Sequence, residues 1–212
     1  MQEITSRESI LKKIRKALAH HTPKKFPGAD LEKPLYKGSG ESPEEQFAKA
    51  FTKIGGQFVF VENELEFFES VIHFAHQNKW KQFYCREKSI QEYMDQVEFP
   101  YTEDDKNFPE GMVSITSCEA LVSRLGSVVV SSRQGSGRRL FVVPTTHIVM
   151  AYTSQVVTEM KDALQLIQAK YGTQIPSMIA SLTGPSRTAD IEKTLVTPAH
   201  GPRDIFVFLI DN

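Results

Sequence analysis

The residues best suited to chemistry fall in two short blocks near the end of the sequence. The first reads Thr183-Gly184-Pro185-Ser186-Arg187-Thr188-Ala189-Asp190. Gly-Pro marks a turn, hydroxyls follow it, and a guanidinium stands beside them. Read as the entry to a helix over 188–195, the block offers free N–H groups and a positive dipole end to an anion. Ser186 and Thr188 would add hydrogen bonds, and Arg187 suits a two-pronged grip on carboxylate or phosphate. The same residue types also fit a plain helix cap, with Asp190 complementing the dipole. The second block, His200-Gly201-Pro202-Arg203, places a titrating ring and a second guanidinium around a turn. Taken alone, it reads first as a tight turn whose histidine satisfies a carbonyl.

Other candidates carry less. The run Ser131-Ser132-Arg133-Gln134-Gly135-Ser136-Gly137-Arg138-Arg139 has the composition of a phosphate cradle. A strand is expected after it, not a helix, so it fails the context of a dinucleotide or P-loop site and reads as a flexible hairpin. His147 enters an apolar strand and faces either core or cleft. His73 and His76 lie three apart on one helix, with no further ligand to complete a metal site. No Gly-x-Ser-x-Gly elbow and no His-Glu-x-x-His pair is present.

The elements that must position these residues alternate. Thr5-Ser6-Arg7-Glu8 reads as a capping box for a first helix, and the Pro- and Gly-containing run 22–40 as an arm or linker. Ser42-Pro43-Glu44-Glu45 opens a second helix, closed by Gly55-Gly56. A strand at 58–61, a helix from Asn63 through Asn78, a strand at 82–85 and a helix at 88–94 follow. This order implies right-handed crossovers and a largely parallel sheet. Beyond it, the pattern suggests strands at 113–116, 127–132, 140–143, 147–152 and 205–210. Helices are expected at 118–125, 156–171 and 188–195. The expectation is an arm over 1–40 and one α/β domain over 41–212 with helices on both faces. In such sheets ligands gather at the carboxyl ends of the strands, where the 183–190 loop is expected to lie.

Bulk properties exclude several classes. The 212 residues carry a net charge of −1, with 24% charged and 40% hydrophobic residues. No general field therefore draws the protein to nucleic acid or to an anionic membrane. Apolar runs such as 205–210 fall far short of the roughly 20 residues of a membrane helix. The opening segment is interrupted by Arg7, Lys12, Lys13, Arg15 and Lys16, unlike a secretory signal. Cys85 and Cys118 stand alone, outside any Cys-x-x-Cys pair. The cytoplasm is the expected compartment.

The two blocks, with Ile191-Glu192 after the first, closely resemble the lactate-utilisation protein C family, built on the LUD domain. Gly126-Ser127-Val128-Val129, Arg139-Leu140 and Pro144-x-x-His147-Ile148-Val149 match it in order and spacing, so the resemblance runs over 42–212. It implies a three-layer α/β/α fold like the sugar-phosphate isomerase and CoA-transferase superfamily, with a mixed, mostly parallel sheet. It also implies a part in bacterial oxidation of L-lactate to pyruvate, beside partner proteins that carry iron–sulfur clusters. Two isolated cysteines cannot hold a cluster that usually needs four thiolates, so no cofactor or metal is expected on this chain. The motif positions carried over are Thr183, Gly184, Pro185, Ser186, Arg187, Thr188, Asp190, His200, Gly201, Pro202, Arg203 and His147. In the leading reading Thr183, Gly184, Ser186, Arg187, Thr188, Gly201 and Arg203 bind a small anion, while His200 or His147 titrates. A second reading is a stand-alone acyl- or CoA-transferase-like enzyme using Asp190 or Glu192, and a third is a scaffold docking through its N-terminal arm. Two departures from the family pattern are Arg124, where an acid is expected, and Thr197-Pro198 before His200.

Overall fold

The computed structural model describes residues 6–19, 40–104, 109, 111–189, 195–196 and 201–212, with backbone alone at 188–189 and 195–196. The chain divides into two units, Met1–Gly38 and Ser39–Asn212. In the first, helix α1 spans Ser6–Leu18 and buries none of its residues; Ile10, Leu11, Ile14 and Leu18 are all exposed. The linker expected at 22–40 lies almost wholly outside the described residues. Among these residues, no helix is long and apolar enough to cross a membrane.

The second unit begins with α2, Pro43–Lys53. Ser42 caps it by accepting the Glu45 N–H at 3.2 Å, and Pro43 holds the first position, where no N–H is needed. Phe47 and Phe51, four residues apart on one face, stack at 5.3 Å and are fully buried. Strand β1, Gln57–Val61, follows, then α3, Glu64–Asn78, whose cap Asn63 accepts the Glu66 N–H at 3.0 Å. Next come β2, Phe83–Tyr84, α4, Lys88–Gln96, and β3, Val113–Thr116. Strands β6, Thr146–Tyr152, and β11, Asp204–Ile210, complete a five-stranded sheet of order β1-β11-β6-β3-β2. Every pairing in it is parallel.

The central strands are apolar on both faces, as a covered parallel sheet requires. In β11, Phe206, Phe208 and Ile210 turn toward α3 and α4, packing with Phe67, Phe68, Ile90 and Met94. Ile205, Val207 and Leu209 turn the other way, against Phe47 and Phe51 of α2. Each such side chain, fully buried, contributes about 1.5–3 kcal/mol. Helices thus cover both faces, and the second face also carries a further sheet.

That sheet has the order β7-β4-β5-β8 and corrects several expectations. The segment 118–125 is not a helix: Ala120–Val122 forms strand β4, antiparallel to β5, Ser127–Ser131. The continuous valines of β5 offer it a ladder, and the resulting burial outweighs the helical spacing of the segment. The segment 140–143 is a 3₁₀ turn, Arg139–Phe141, fixed where the Ser114 hydroxyl donates to the Leu140 carbonyl at 2.8 Å. The expected helix over 156–171 splits into β7, Val156–Val157, and α5, Met160–Tyr171. Its first two valines pair with β4, which the β-branched side chain favours over a helix. Strand β8, Ile179–Leu182, lies on the other side of β5, and Ala163 and Ile167 of α5 pack behind the sheet.

The expected helix over 188–195 is also replaced. Thr188–Ala189 forms β9 and Leu195–Val196 forms β10, an antiparallel pair. The β-branched Thr188 and Val196 face each other in its register. Among the described residues no helix starts at Thr188 to offer its N–H groups to an anion. Between β4 and β5, Gly126 makes the turn at φ +60° and lies directly on the backbone of α2.

Candidate functional site

The two sequence blocks meet. The Ser186 N–H donates to the Pro202 carbonyl at 2.9 Å, joining the Gly-Pro-Ser turn to the Gly-Pro-Arg turn. Gly201 sits against Ser186, and a Cβ built on it would lie 3.1 Å from the Ser186 Cβ. Gly184 turns at φ +81°, where a Cβ would come within 2.9 Å of the Ile54 carbonyl oxygen. The Thr183 and Ser127 hydroxyls lie 2.9 Å apart, tying the turn to the second sheet. The Arg187 guanidinium lies over Gly55, just before β1. The Arg203 N–H donates to the Thr145 carbonyl at 2.9 Å, and its Nε pairs with the Asp204 carboxylate at 2.9 Å.

These contacts fix the location. Ile54, Gly55, Thr145, Pro202 and Arg203 all precede strands β1, β6 and β11, so the cluster lies at the amino edge of the parallel sheet. The carboxyl edge expected from the general rule for α/β sheets does not hold it. The physical reason is that the 183–186 turn leaves β8 of the second sheet, whose direction is set by antiparallel pairing with β5. His200, Asp190 and Glu192 lie outside the described residues, as do Thr197 and Pro198, and Thr188 is described by its backbone alone.

His147 is not part of the cluster. Its ring is fully buried against Phe141, with centroids 6.0 Å apart. Nε2 lies 2.8 Å from the Thr116 hydroxyl, which is also 3.0 Å from the Ser117 carbonyl, while Nδ1 has no partner among the described residues. Burial pushes its pKa down to about 3, so the imidazole is neutral through the physiological range.

The carboxyl edge carries a polar network that residue spacing does not announce. Glu87, 6% exposed, accepts the Ser117 N–H at 2.9 Å and the hydroxyls of Ser117 and Ser136. Gln134 donates to the Ser117 carbonyl at 2.7 Å, and its own carbonyl accepts the Ser131 N–H at 2.7 Å. The loop after β5 is therefore clasped to the sheet edge and is no free hairpin. Beyond it, Glu119 accepts from Ser131, Lys170 and Tyr171 at 2.6, 2.8 and 2.8 Å. Burial alone would raise the Glu119 pKa. The Lys170 ammonium and the two hydroxyls outweigh it and hold the carboxyl below its ordinary value. Glu87, Ser117, Gln134 and Ser136 converge only once the sheet has formed, so no sequence motif marks them.

Cys85 and Cys118 are both buried and free. Burial pushes the Cys85 thiol up to about 12 and raises Cys118 as well, so neither is a ready thiolate ligand. Among the described residues no group of three His, Cys, Asp or Glu side chains converges as a metal site.

The departure at Arg124 has a structural account. Its Nε and Nη2 grip the Glu159 carboxylate at 2.7 and 2.8 Å, a two-pronged pair that holds the β4–β5 turn to the start of α5. The pair is about one-third exposed (26% and 34%) and so screened. A double-mutant cycle with Arg124→Ala and Glu159→Ala is expected to give a coupling of about 1 kcal/mol. Coupling indistinguishable from zero in urea titrations would make it an incidental contact.

The LUD domain model matches residues 88–210, more than half of the chain and including both motif blocks. The chain belongs to the LUD-domain family. It is 37% identical over 102 residues to lactate utilization protein C of Bacillus subtilis, covering 47% of this chain and 42% of that protein. To the protein of the same name from Geobacillus thermodenitrificans it is 40% identical over 92 residues, 42% of this chain and 38% of the relative. The match thus spans about two-fifths of the length of these relatives. A crystal structure of a DUF162 family protein from Deinococcus radiodurans shares the fold, with a TM-score of 0.59 at 17% identity. That superposition covers 79% of this chain and 96% of the Deinococcus chain.

Proposed function

We propose that this LUD-domain protein takes part in bacterial utilisation of L-lactate in the cytoplasm, as an accessory or substrate-handling subunit that holds a small organic anion. The observation that carries the reading is the joining of the two motif turns through Ser186 and Pro202. That contact sets the backbones of Arg187 and Arg203 on one edge of the sheet. Two guanidinium groups beside hydroxyl-bearing turns suit a carboxylate. The names of the relatives supply the pathway, and iron–sulfur partner proteins would carry its redox groups.

Two measurements test it. Saturating L-lactate or pyruvate, at about 100 times its dissociation constant, is expected to add roughly 2.7 kcal/mol of stability. That is a rise of several degrees in Tm at about 2–4 °C per kcal/mol, and Arg187→Ala is expected to abolish it. In the source bacterium, deletion of the gene is expected to stop growth on L-lactate. Growth of the deletion strain at the parental rate would remove the proposed role.

A further inference from the structure

Two surfaces, each open in the single chain, have complementary chemistry. The first is α1. Ile10, Leu11, Ile14 and Leu18 fall on one side of this 13-residue helix and are 58, 38, 49 and 75% exposed. At 3.6 residues per turn, Lys13 and Arg15 stand about 100° to either side of Ile14, so cations border the aliphatic stripe. Isolated helices shorter than about 12–15 residues are marginal in water, and a surface covering the stripe would hold this one.

The second is a groove of about 390 Å³ between the start of α3 and the end of α4. Phe68 and Val97 line it, and Leu65, 58% exposed, stands at its rim. Ile72, 43% exposed, continues the apolar line seven residues further along the same face of α3. Segment 62–72 holds four glutamates and segment 90–98 three carboxylates, with no Lys, Arg or His in either. Glu64 lines the groove, and Glu69, Glu92 and Asp95 are exposed. None of the seven makes an ion pair among the described residues.

The charge of the whole chain divides in the same way. Residues 1–40 hold nine Lys and Arg against four Asp and Glu, while residues 41–212 hold sixteen against twenty-two. The overall −1 is therefore the sum of +5 and −6.

We infer that the α3–α4 groove is the dock for α1 of a second copy of this chain. The aliphatic stripe covers Leu65 and Ile72, and Lys13 and Arg15 reach the carboxylates along the rims. Reciprocal exchange of the two helices closes a two-fold dimer. Opposite charges on the two parts of the chain steer copies together. An anionic lipid surface fits less well as the occupant, because it would repel the −6 of the remaining residues.

Sedimentation equilibrium of the full chain tests this. At a loading of about 100 μM, which populates complexes of micromolar Kd, a dimer is expected. Raising salt from about 50 to 500 mM is expected to weaken it several-fold. Ile14→Asp and Leu65→Arg, both at exposed positions, are each expected to leave Tm unchanged and to raise Kd about tenfold or more. Mixed together, they keep one intact helix and one intact groove, and are expected to form a heterodimer that neither forms alone. A monomeric wild-type protein, a dimer that both variants retain, or a mixture that stays monomeric would each overturn the inference. Flotation of a monomeric chain with phosphatidylserine vesicles, lost in Ile14→Asp, would overturn it in favour of a lipid surface.

Discussion

Gly126→Ala is expected to destabilise the protein by about 2–4 kcal/mol. A Cβ at this position would lie 2.5 Å from the Phe51 nitrogen, 2.6 Å from the Ala50 carbonyl carbon and 2.8 Å from the Phe51 Cα. All three are backbone atoms of α2, so no side chain can rotate away. Relief requires lifting α2 off the β4–β5 turn, which would open the packing of Phe47 and Phe51 against β11. The left-handed φ of +60° adds roughly 1–2 kcal/mol for any residue with a Cβ. At about 2–4 °C per kcal/mol, Tm falls by roughly 5–15 °C. Gly111→Ala isolates the backbone contribution, because Gly111 has φ +82° and a Cβ added there would meet nothing within 4 Å. Equal losses at the two positions would show that the contact with α2 carries no energy.

Acid is expected to act through His147 before it acts through any carboxylate. The unfolded chain takes up a proton at this ring near pH 6.5, whereas the buried ring takes one only near pH 3. Between those values the unfolded state binds more protons, so stability falls as pH falls, by up to about 1.4 kcal/mol per pH unit. The loss begins below about pH 6.5 and is complete only below the folded value. His147→Leu, similar in volume and without a titrating nitrogen, is expected to flatten urea-derived stability between pH 6.5 and 5. Below about 4.5 the depressed Glu119 carboxyl adds a second loss in the same direction. An unchanged slope in His147→Leu above pH 5 would show that the ring is protonated in the native protein.

The fold was legible where periodicity and caps agreed. Ser42 and Asn63 announced α2 and α3, and the alternating apolar runs announced a parallel sheet. The second sheet was hidden because its short strands depend on partners far away in sequence: 120–122 reads as a helix until β5 lies beside it. The 188–195 segment failed for a related reason, since its hydroxyls and acids suit a helix start and a strand pair needs β10 to declare itself. At the site, the motif blocks were readable as a unit, and Ser186 does meet Pro202. Their edge was not, because the direction of β8 follows from its partner.

Strand β11, the last among the described residues, lies at the interior of the central sheet, between β1 near the beginning and β6 in the middle. During vectorial synthesis β1 therefore emerges long before β11, its neighbour in that sheet among the described residues. Until residues 204–210 leave the ribosome, β1 and β6 present open apolar edges, the kind of surface that draws chaperones or neighbouring nascent chains. The sheet closes like a keystone arch, by insertion of β11 between two strands that precede it in the chain, a long-range pairing that slows assembly.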